Sequence, residues 1–280
     1  MARSPLLVKA APQGRTVVEV TPASAGWQHV GFRVLRLSAG EQETLHTGDR
    51  ELCLVVLTGT AQVEVDGVPY ADMGTRDSVF DPVAPAALFV PGGCQVTVQA
   101  SRAAEVALCS APAGPTQRQV RRLDPAGMTR SERGKGSNTR YICDILPHND
   151  PTAAHLLVVE VVTPAGHSSS YPPHKHDRDA LPEETQLEET YYHRVDPPQG
   201  FAFQRVYTDD RSLDEAMAVE NHDTVMVPRG YHPVVAPHGY KLYYLNVMAG
   251  PGRQWVFKND PAHEWMLQTA ASPRTDVPQA

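Results

Sequence analysis

The residues best suited to chemistry are three histidines and one glutamate in the second half of the chain. His174 and His176 are one residue apart, and on an extended segment such side chains point to the same side. Glu189 opens a strand-like segment, and His232 ends the turn-like stretch 228–232. Three imidazoles and a carboxylate suit Zn or Mn, which we expect first, and also Fe, Ni or Co. The pattern predicts a divalent-metal site with positions left open for water or substrate.

Short β-strands must hold these ligands in place. The 25 prolines and 20 glycines divide the chain into short, β-branched and often alternating segments. Strands are predicted at 52–57, 61–66, 87–90, 95–99, 156–162 and 224–227, and short helices only near 212–217 and 261–267. The pattern predicts an all-β fold.

An internal repeat divides the chain into two similar halves. An apolar segment that begins at Glu51 is followed by Pro91, and the segment that begins at Glu189 is followed by Pro228 at nearly the same interval. Each half also contains a turn, at 66–67 and at 197–200. We therefore expect two double-sheet jelly-roll lobes joined near 115–138. Their predicted bounds are 1–120 and 121–280, with a disordered tail after residue 269.

The repeat also predicts that the first lobe lacks a complete metal site. Aligning Glu51 with Glu189 assigns Thr44, His46 and Gln95 to the other three ligand positions, so only two of the four residue types are metal ligands. We expect the first lobe to bind no catalytic metal and to serve packing or assembly. The charged insertion 177–188 is interpreted as either a solvated loop or a rim that closes the pocket.

Composition excludes several kinds of partner. The net charge is −7, and no cluster of Lys and Arg offers a surface for nucleic acid. We expect no membrane segment, because no apolar run reaches about 18 residues, and a cytoplasmic location, because residues 1–16 lack a signal-peptide core. The cysteines form no CxxC pair, so we expect reduced and mostly buried thiols at Cys53, Cys94, Cys109 and Cys143.

Several longer strings resemble the 5-deoxy-glucuronate isomerase family, and the ligand pattern resembles that of the cupin superfamily. The strings cover 134–147, 169–177, 187–194, 200–210, 227–233 and 242–251. The resemblance runs over most of 25–265 and is more distant to the uronate isomerase of pectin breakdown. It implies a bicupin that interconverts 5-deoxy-glucuronate and 5-dehydro-2-deoxy-gluconate in myo-inositol catabolism.

Such an isomerase must move a proton between adjacent carbons while an ion polarises the neighbouring oxygens. Strand alternation from Glu189 puts Tyr191 and His193 on the metal-facing side, which makes them candidates for acid–base catalysis. Tyr243 and Tyr244 alternate faces, so one of them lines the pocket, and Tyr243 is our candidate.

The carboxylate of a uronate-type sugar acid calls for a cation, ideally a guanidinium. Arg229 is the first choice, with Arg140 or Lys175 second, although each could be a surface charge and Arg140 a strap between the lobes. We also expect a homo-oligomer. Two alternatives stay open at this point: a cupin dioxygenase and a non-catalytic sugar-binding cupin.

Overall fold

The computed structural model describes residues 4–115 and 119–267, and about half of these residues lie in β-strands. The strands in chain order are β1 (Leu7–Val8), β2 (Thr16–Val20), β3 (Gly31–Leu37), β4 (Gln42–His46), β5 (Arg50–Thr58), β6 (Ala61–Val65), β7 (Val68–Met73), β8 (Ala86–Val90), β9 (Gln95–Ala100), β10 (Ala104–Pro112), β11 (Arg121–Leu123), β12 (Thr129–Arg133), β13 (Arg140–Leu146), β14 (Leu157–Thr163), β15 (Ser168–Ser169), β16 (His174–Lys175), β17 (Glu188–Asp196), β18 (Phe201–Tyr207), β19 (Asp214–Glu220), β20 (Thr224–Val227), β21 (Val234–Val235), β22 (Lys241–Ala249) and β23 (Lys258–Asn259).

Helical structure among the described residues is limited to short pieces. They are α1 (Pro22–Ala25) and the 3₁₀ turns Pro125–Gly127, Gly136–Asn138 and Pro261–Leu267. Within the same residues, no helix is long and apolar enough to span a membrane. The predicted all-β fold class is confirmed.

Each lobe is a pair of facing antiparallel sheets. In the first lobe the six-stranded sheet β11-β8-β5-β10-β3-β2 faces the four-stranded sheet β4-β9-β6-β7. In the second lobe the seven-stranded sheet β1-β20-β17-β22-β14-β13-β12 faces the four-stranded sheet β15-β21-β18-β19. Each barrel encloses its own apolar cluster, as alternating strands require when one face is buried.

A third apolar cluster joins the lobes through the outer faces of their two large sheets. It includes Phe32 and Phe89 from the first lobe and Tyr192 and Leu245 from the second. Within this contact the buried Arg76 guanidinium of the first lobe donates two hydrogen bonds to Glu160 of the second, at 2.9 and 2.7 Å. The lobes therefore pack back to back through an apolar core that contains the bidentate Arg76–Glu160 ion pair.

Two short strands cross between the lobes. Leu7 of β1 pairs with Val225, so the N-terminal segment completes the large sheet of the second lobe. Arg121 of β11 pairs with Phe89, so the chain rejoins the first lobe after residue 120. The predicted division of the lobes at 120/121 stays a prediction. The structure adds that β1 and β11 each pair with a strand of the opposite lobe. The tail after residue 269 and positions 116–118 of the joining stretch lie outside the described residues.

The six predicted strands are confirmed, but the helix predicted near 212–217 is wrong. Asp214–Glu220 is β19, which pairs antiparallel with β18 and alternates exposed and buried side chains. The short segment was too brief for periodicity to separate helix from strand. The second helical prediction, near 261–267, corresponds to a 3₁₀ helix. All four cysteines are free thiols, and only Cys94 is not fully buried.

Candidate metal centre

His176, Glu189 and His232 converge inside the second barrel. One ligand atom from each of these buried residues lies within 4.8 Å of the other two. Glu189 Oε2 is 3.0 Å from His176 Nε2 and 3.3 Å from His232 Nε2. Among the described residues this is the group of histidines, cysteines and carboxylates that could hold a metal ion.

The elements around this group fix each side chain locally. Glu189 is the second residue of β17 and pairs with Val227 at the end of β20. A turn at Gly230 then delivers His232, and this turn requires glycine because φ is +94° and a Cβ would lie 2.6 Å from the Tyr207 carbonyl oxygen. The hairpin thus places the carboxylate and the imidazole on the same inner face.

Both imidazoles are oriented by backbone carbonyls. His176 Nδ1 lies 2.9 Å from the Leu187 oxygen, and His232 Nδ1 lies 2.8 Å from the Gly230 oxygen. Because a carbonyl can only accept, Nδ1 carries a proton in each ring, and Nε2 of each ring is the atom that faces the centre. This is the arrangement by which proteins fix metal-ligating histidines.

His232 supplies a direct test of whether a metal fits. Its Nε2 is buried without a hydrogen-bond partner among the described residues, and burial lowers the pKa of His232 to about 3. A buried neutral lone pair with no donor is unfavourable unless a cation satisfies it. Burial also acts to lower the pKa of His176, but contact with the Glu189 carboxylate raises it above its usual value. The donor set therefore fits a divalent metal ion.

His174 lies beside this group but not within it. Its ring centroid is 4.8 Å from that of His232 and 6.4 Å from that of His176, and it packs on Phe257 at 4.6 Å. His174 and Glu189 both line the large cavity next to the centre. Its role as fourth ligand stays a prediction.

The cavity has a volume of about 1040 Å³ and three chemically distinct walls. A basic wall comes from the segment 133–140, and a wall of hydroxyls and amides comes from β15, β17 and β22. An aromatic wall comes from the C-terminal segment 255–267. The three walls include, in the same order, Arg133, Lys135, Arg140; Ser169, Ser170, Tyr191, Tyr244, Asn246; and Trp255, Phe257, Trp265.

Two tyrosines and two serines form a hydroxyl network in the cavity wall. Tyr244 hydrogen-bonds to Ser169 through their hydroxyl groups, and Tyr191 Oη lies 3.3 Å from Ser170 Oγ. Burial raises the pKa of Tyr191 and of Tyr244, so both phenols keep their protons at neutral pH. The network can therefore donate hydrogen bonds to an oxygen-rich ligand.

The other two predicted catalytic residues lie elsewhere. His193 is fully buried beyond Tyr191, where its Nε2 is 2.9 Å from Gln204 Oε1, and it does not line the cavity. Burial lowers the pKa of His193 to about 4. The prediction that Tyr243 lines the pocket is wrong, because its hydroxyl donates to Glu160 at 3.0 Å within the core between the lobes. The pocket-lining member of the pair is Tyr244.

Of the three predicted substrate-binding cations, Arg140 lines the cavity and the other two do not. Arg229 is exposed on its turn. Lys175 faces away from its neighbouring histidines, pairs with Asp209 and covers the Tyr231 ring. Alternation along β16 explains this, since His174 and His176 share one side and Lys175 takes the other. The structure thus corrects the prediction for Arg229 and Lys175, because neither side chain lines the cavity.

The insertion 177–188 does not line the cavity. Asp177 Oδ1 accepts a hydrogen bond from the Gly230 amide at 2.7 Å, and the Asp177 amide donates to the buried Glu184. The insertion therefore braces the turn that carries His232. The cavity rim is formed instead by 133–138 and 255–267.

The first-lobe counterpart was misaligned by one residue. Glu51 pairs with Ala111 just as Glu188, not Glu189, pairs with Ala249. Glu51 is buried against the second lobe, whereas Thr44, His46 and Gln95 are exposed on the outer strands β4 and β9. These four side chains do not converge.

Sequence reasoning missed most of the cavity wall. Ser169, Tyr244 and Asn246 lie within strings that carry the family resemblance, but only the pairing of β17 with β22 reveals that Tyr244 and Asn246 share a face with Tyr191. One signal was available: Arg133 lies near Arg140 in the sequence, with only the glycine-containing stretch 134–139 between them.

Comparison with known proteins finds close relatives over nearly the whole chain. A model of the KduI/IolB family matches residues 6–266. The 5-deoxy-glucuronate isomerase of Halalkalibacterium halodurans is 51% identical over 257 residues, covering 91% of this chain and 95% of its own length. The protein of the same name from Bacillus subtilis strain 168 is 48% identical over 260 residues, covering 91% and 93%.

Solved structures agree with this relationship. An IolB-like protein from Salmonella typhimurium LT2 superposes with a TM-score of 0.91 at 47% identity, covering 94% of this chain and 99% of the other. Oxalate decarboxylase from Bacillus subtilis superposes with a TM-score of 0.63 at 13% identity, covering 92% and 80%. The second likeness concerns the two-lobed fold alone.

Proposed function

Because this chain belongs to the KduI/IolB family and is an isomerase, we propose that it is a metal-dependent enzyme that converts 5-deoxy-glucuronate to 5-dehydro-2-deoxy-gluconate. The relatives named 5-deoxy-glucuronate isomerase are about half identical to this chain over most of both chains. The proposed place of the reaction is myo-inositol catabolism. A cytoplasmic location and a homo-oligomer remain predictions.

The observation that carries metal dependence is the orientation of the two buried imidazoles. His176 and His232 each give their Nδ1 proton to a carbonyl and turn Nε2 toward the same Glu189 oxygen. We propose His174, His176, Glu189 and His232 as the ligands of a divalent ion, with Zn or Mn expected first. Such an ion supplies Lewis-acid polarisation of a carbonyl oxygen when it is bound.

Arg140 is the proposed partner of the substrate carboxylate. It lies directly across from Arg133 on the antiparallel strands β12 and β13, and neither forms an ion pair among the described residues. Two like charges held side by side are unfavourable without an anion, and burial also lowers the pKa of Arg140. A carboxylate between the guanidiniums would relieve both costs.

The loop before Arg140 supports its side chain. The Arg140 Nη1 donates to the Asn138 carbonyl at 3.1 Å. Gly134 allows this contact, because its φ is +81° and a Cβ would lie 2.0 Å from the Asn138 oxygen and 2.7 Å from Arg140 Nη1. The glycine-rich loop therefore sets the position of the guanidinium in the cavity wall.

Tyr191 and Tyr244 are the proposed hydrogen-bond donors to the reacting end of the substrate. Their phenolic protons are retained because burial raises both pKa values, so each can stabilise negative charge that develops on a substrate oxygen. The aromatic side chains of Trp255 and Phe257 add apolar surface to the same cavity.

Nuclear magnetic resonance in deuterated water tests the proposal. The protein, loaded with Mn²⁺ or Zn²⁺, is mixed with 5-deoxy-glucuronate, and a matched sample is first treated with chelator. We expect conversion to the ketone with deuterium incorporation, loss of conversion after chelation, and recovery when metal is restored. No conversion by the loaded protein would reject the substrate, and unchanged conversion after metal removal would reject the metal. Tight binding without turnover would favour a sugar-binding protein, and oxygen consumption by the iron-loaded form a dioxygenase.

A further inference from the structure

The residue before the Glu189 ligand is a second buried carboxylate with an unusual set of partners. Glu188 is 8% exposed and accepts hydrogen bonds from three consecutive backbone amides of the first lobe. The amides belong to Gln28, His29 and Val30, at 2.8, 2.7 and 2.9 Å. Three successive N–H groups that converge on one anion form a strong anion-binding concavity.

The first lobe contains the same device in reverse. Glu51, the equivalent of Glu188, is 1% exposed and accepts from three consecutive amides of the second lobe. These belong to Ala154, His155 and Leu156, at 2.8, 2.7 and 2.8 Å. The acceptor strands β5 and β17 correspond, and the donor segments precede the corresponding strands β3 and β14. The contact between lobes is therefore reciprocal, as in a two-fold interface built within one chain.

Neither carboxylate has a cation in contact. In the described part of the chain, no ion pair within 4.0 Å involves Glu51 or Glu188. The amide triplets compensate their burial, the charge of Arg50 adds to this at Glu188, and such charge-assisted hydrogen bonds are short and directional. Each carboxylate consequently fixes the backbone that carries it relative to the opposite lobe.

Only one of these two anchors adjoins the metal centre. Leu187, before Glu188, provides the carbonyl that accepts a hydrogen bond from His176 Nδ1, with 2.9 Å between nitrogen and oxygen. Glu189, after Glu188, provides the oxygen that faces both His176 and His232. The three consecutive residues thus carry one ligand, fix a second and are anchored through Glu188 to the first lobe.

We propose that Glu188 is a positioning residue for the metal centre, and that the first lobe acts on the metal site by supplying the amide triplet 28–30. The inference rests on the metal dependence proposed above. It assigns a role in the chemistry to a lobe whose own barrel presents no converging ligands. Glu51 performs the same structural task at a site where no ligand follows, so it separates positioning from general stability.

The test compares E188Q with E51Q by titration with Co²⁺. The amide of glutamine keeps the size of the side chain but loses the charge and turns an NH₂ group toward a backbone donor. We expect E188Q to weaken Co²⁺ binding at least about tenfold and to change the visible absorption of the bound ion, as loss of a group that orients ligands does. We expect both substitutions to lower the thermal midpoint by a similar amount. E51Q, however, should leave the Co²⁺ affinity and the absorption spectrum unchanged.

Each other outcome has a definite meaning. If wild type binds no Co²⁺, the proposed metal dependence fails. If wild type binds and E188Q matches it in affinity and spectrum, or if E51Q loses affinity equally, the positioning role is overturned.

Hydrogen exchange of the wild-type protein covers the case in which E188Q does not fold. Coupling is reciprocal, so Co²⁺ should slow exchange at the amides of 28–30 more than at those of 154–156. Equal protection of the two triplets would overturn the proposal.

Discussion

Leu52 and Glu189 occupy the same position in the two lobes. Leu52 pairs with Val90 and Glu189 pairs with Val227, and each valine is followed by the proline of its half. Leu52 is 4% exposed and belongs to the apolar cluster of the first barrel. The first barrel is therefore filled with hydrocarbon at the point where the second presents its carboxylate.

This relationship predicts the effect of L52E. A carboxylate at Leu52 would be buried among apolar side chains with no histidine to share an ion. We expect the free energy of unfolding to fall by about 3–5 kcal/mol. L52M, which nearly conserves volume, should cost less than about 1.5 kcal/mol. Urea unfolding measures both changes. A stable L52E protein with a second equivalent of tightly bound metal would contradict the assignment.

Substitution of two histidines distinguishes a proposed metal ligand from a histidine of the core. H176Q removes a nitrogen that faces Glu189, so we expect loss of bound metal and at least about a 100-fold fall in isomerase activity. H193Q alters a buried residue whose contact is Gln204, so metal content should stay at the wild-type level even if stability falls. Metal analysis of the purified proteins and the isomerisation assay give the comparison. Metal loss from H193Q alone would contradict it.

Adjacent tyrosines should differ in their effect on kcat. Y244F removes a phenol that lines the cavity and bonds to Ser169, so we expect kcat to fall roughly 100-fold, with a stability cost of about 1–3 kcal/mol. Y243F removes the hydrogen bond to the buried Glu160, and we expect about 1–3 kcal/mol lower stability with near-normal kcat. Steady-state kinetics and denaturant unfolding of both variants decide the matter. The reverse pattern would restore Tyr243 as the catalytic candidate.

Two arginines offer a matched test of carboxylate binding. R140Q removes the guanidinium in the cavity wall, so we expect KM to rise roughly 10- to 100-fold with a smaller change in kcat. R229Q changes an exposed residue outside the cavity and should leave KM unchanged. Equal effects of the two substitutions would show that general charge, rather than a specific contact, attracts the substrate.

The sequence predicted the strands and the closeness of His176, Glu189 and His232 because both depend on local patterns, while the ligand role of His174 stays a prediction. Strand segments are short and bounded by glycine and proline, and the HxH pair, Glu189 and His232 each open or end a recognisable element. The choice between Tyr243 and Tyr244 was different, because it depends on the partner strand. Tyr191 lies opposite Asn246, so the cavity-facing residues of β22 are 246 and 244.

The misaligned repeat has a similar cause. Each lobe has a glutamate within the first two residues of its central strand, but the second lobe has two in succession, and only the pairing with Ala111 and Ala249 shows which is equivalent to Glu51. A slip of one residue exchanges the two faces of a strand. Because of this slip, Glu51, which anchors one lobe to the other, was aligned with the proposed metal ligand Glu189. The aromatic wall could not be predicted, because the segment 255–267 meets the other walls only in the folded chain.

His222 should make stability depend on pH below neutrality. Its Nδ1 lies 2.7 Å from the Tyr192 hydroxyl, and Arg36, Arg194 and Glu105 also face it. Burial, followed by the charge of Arg194, lowers the pKa of His222 from 6.5 to about 4. Because the folded-state pKa is the lower one, its contribution is complete above about pH 6.5 and is lost as the pH falls toward 4.

The matched variant is H222N, since asparagine tolerates the positive φ of 73° at this position and cannot titrate. Between about pH 7.5 and 4.5, wild type should lose roughly 1–2 kcal/mol more unfolding free energy than H222N, a figure reduced to allow for solvent screening of a partly exposed ring. Urea unfolding at several pH values measures the difference. Parallel pH profiles would mean that His222 is equally easy to protonate in the folded and unfolded chain, and that the neighbouring arginines do not act on it.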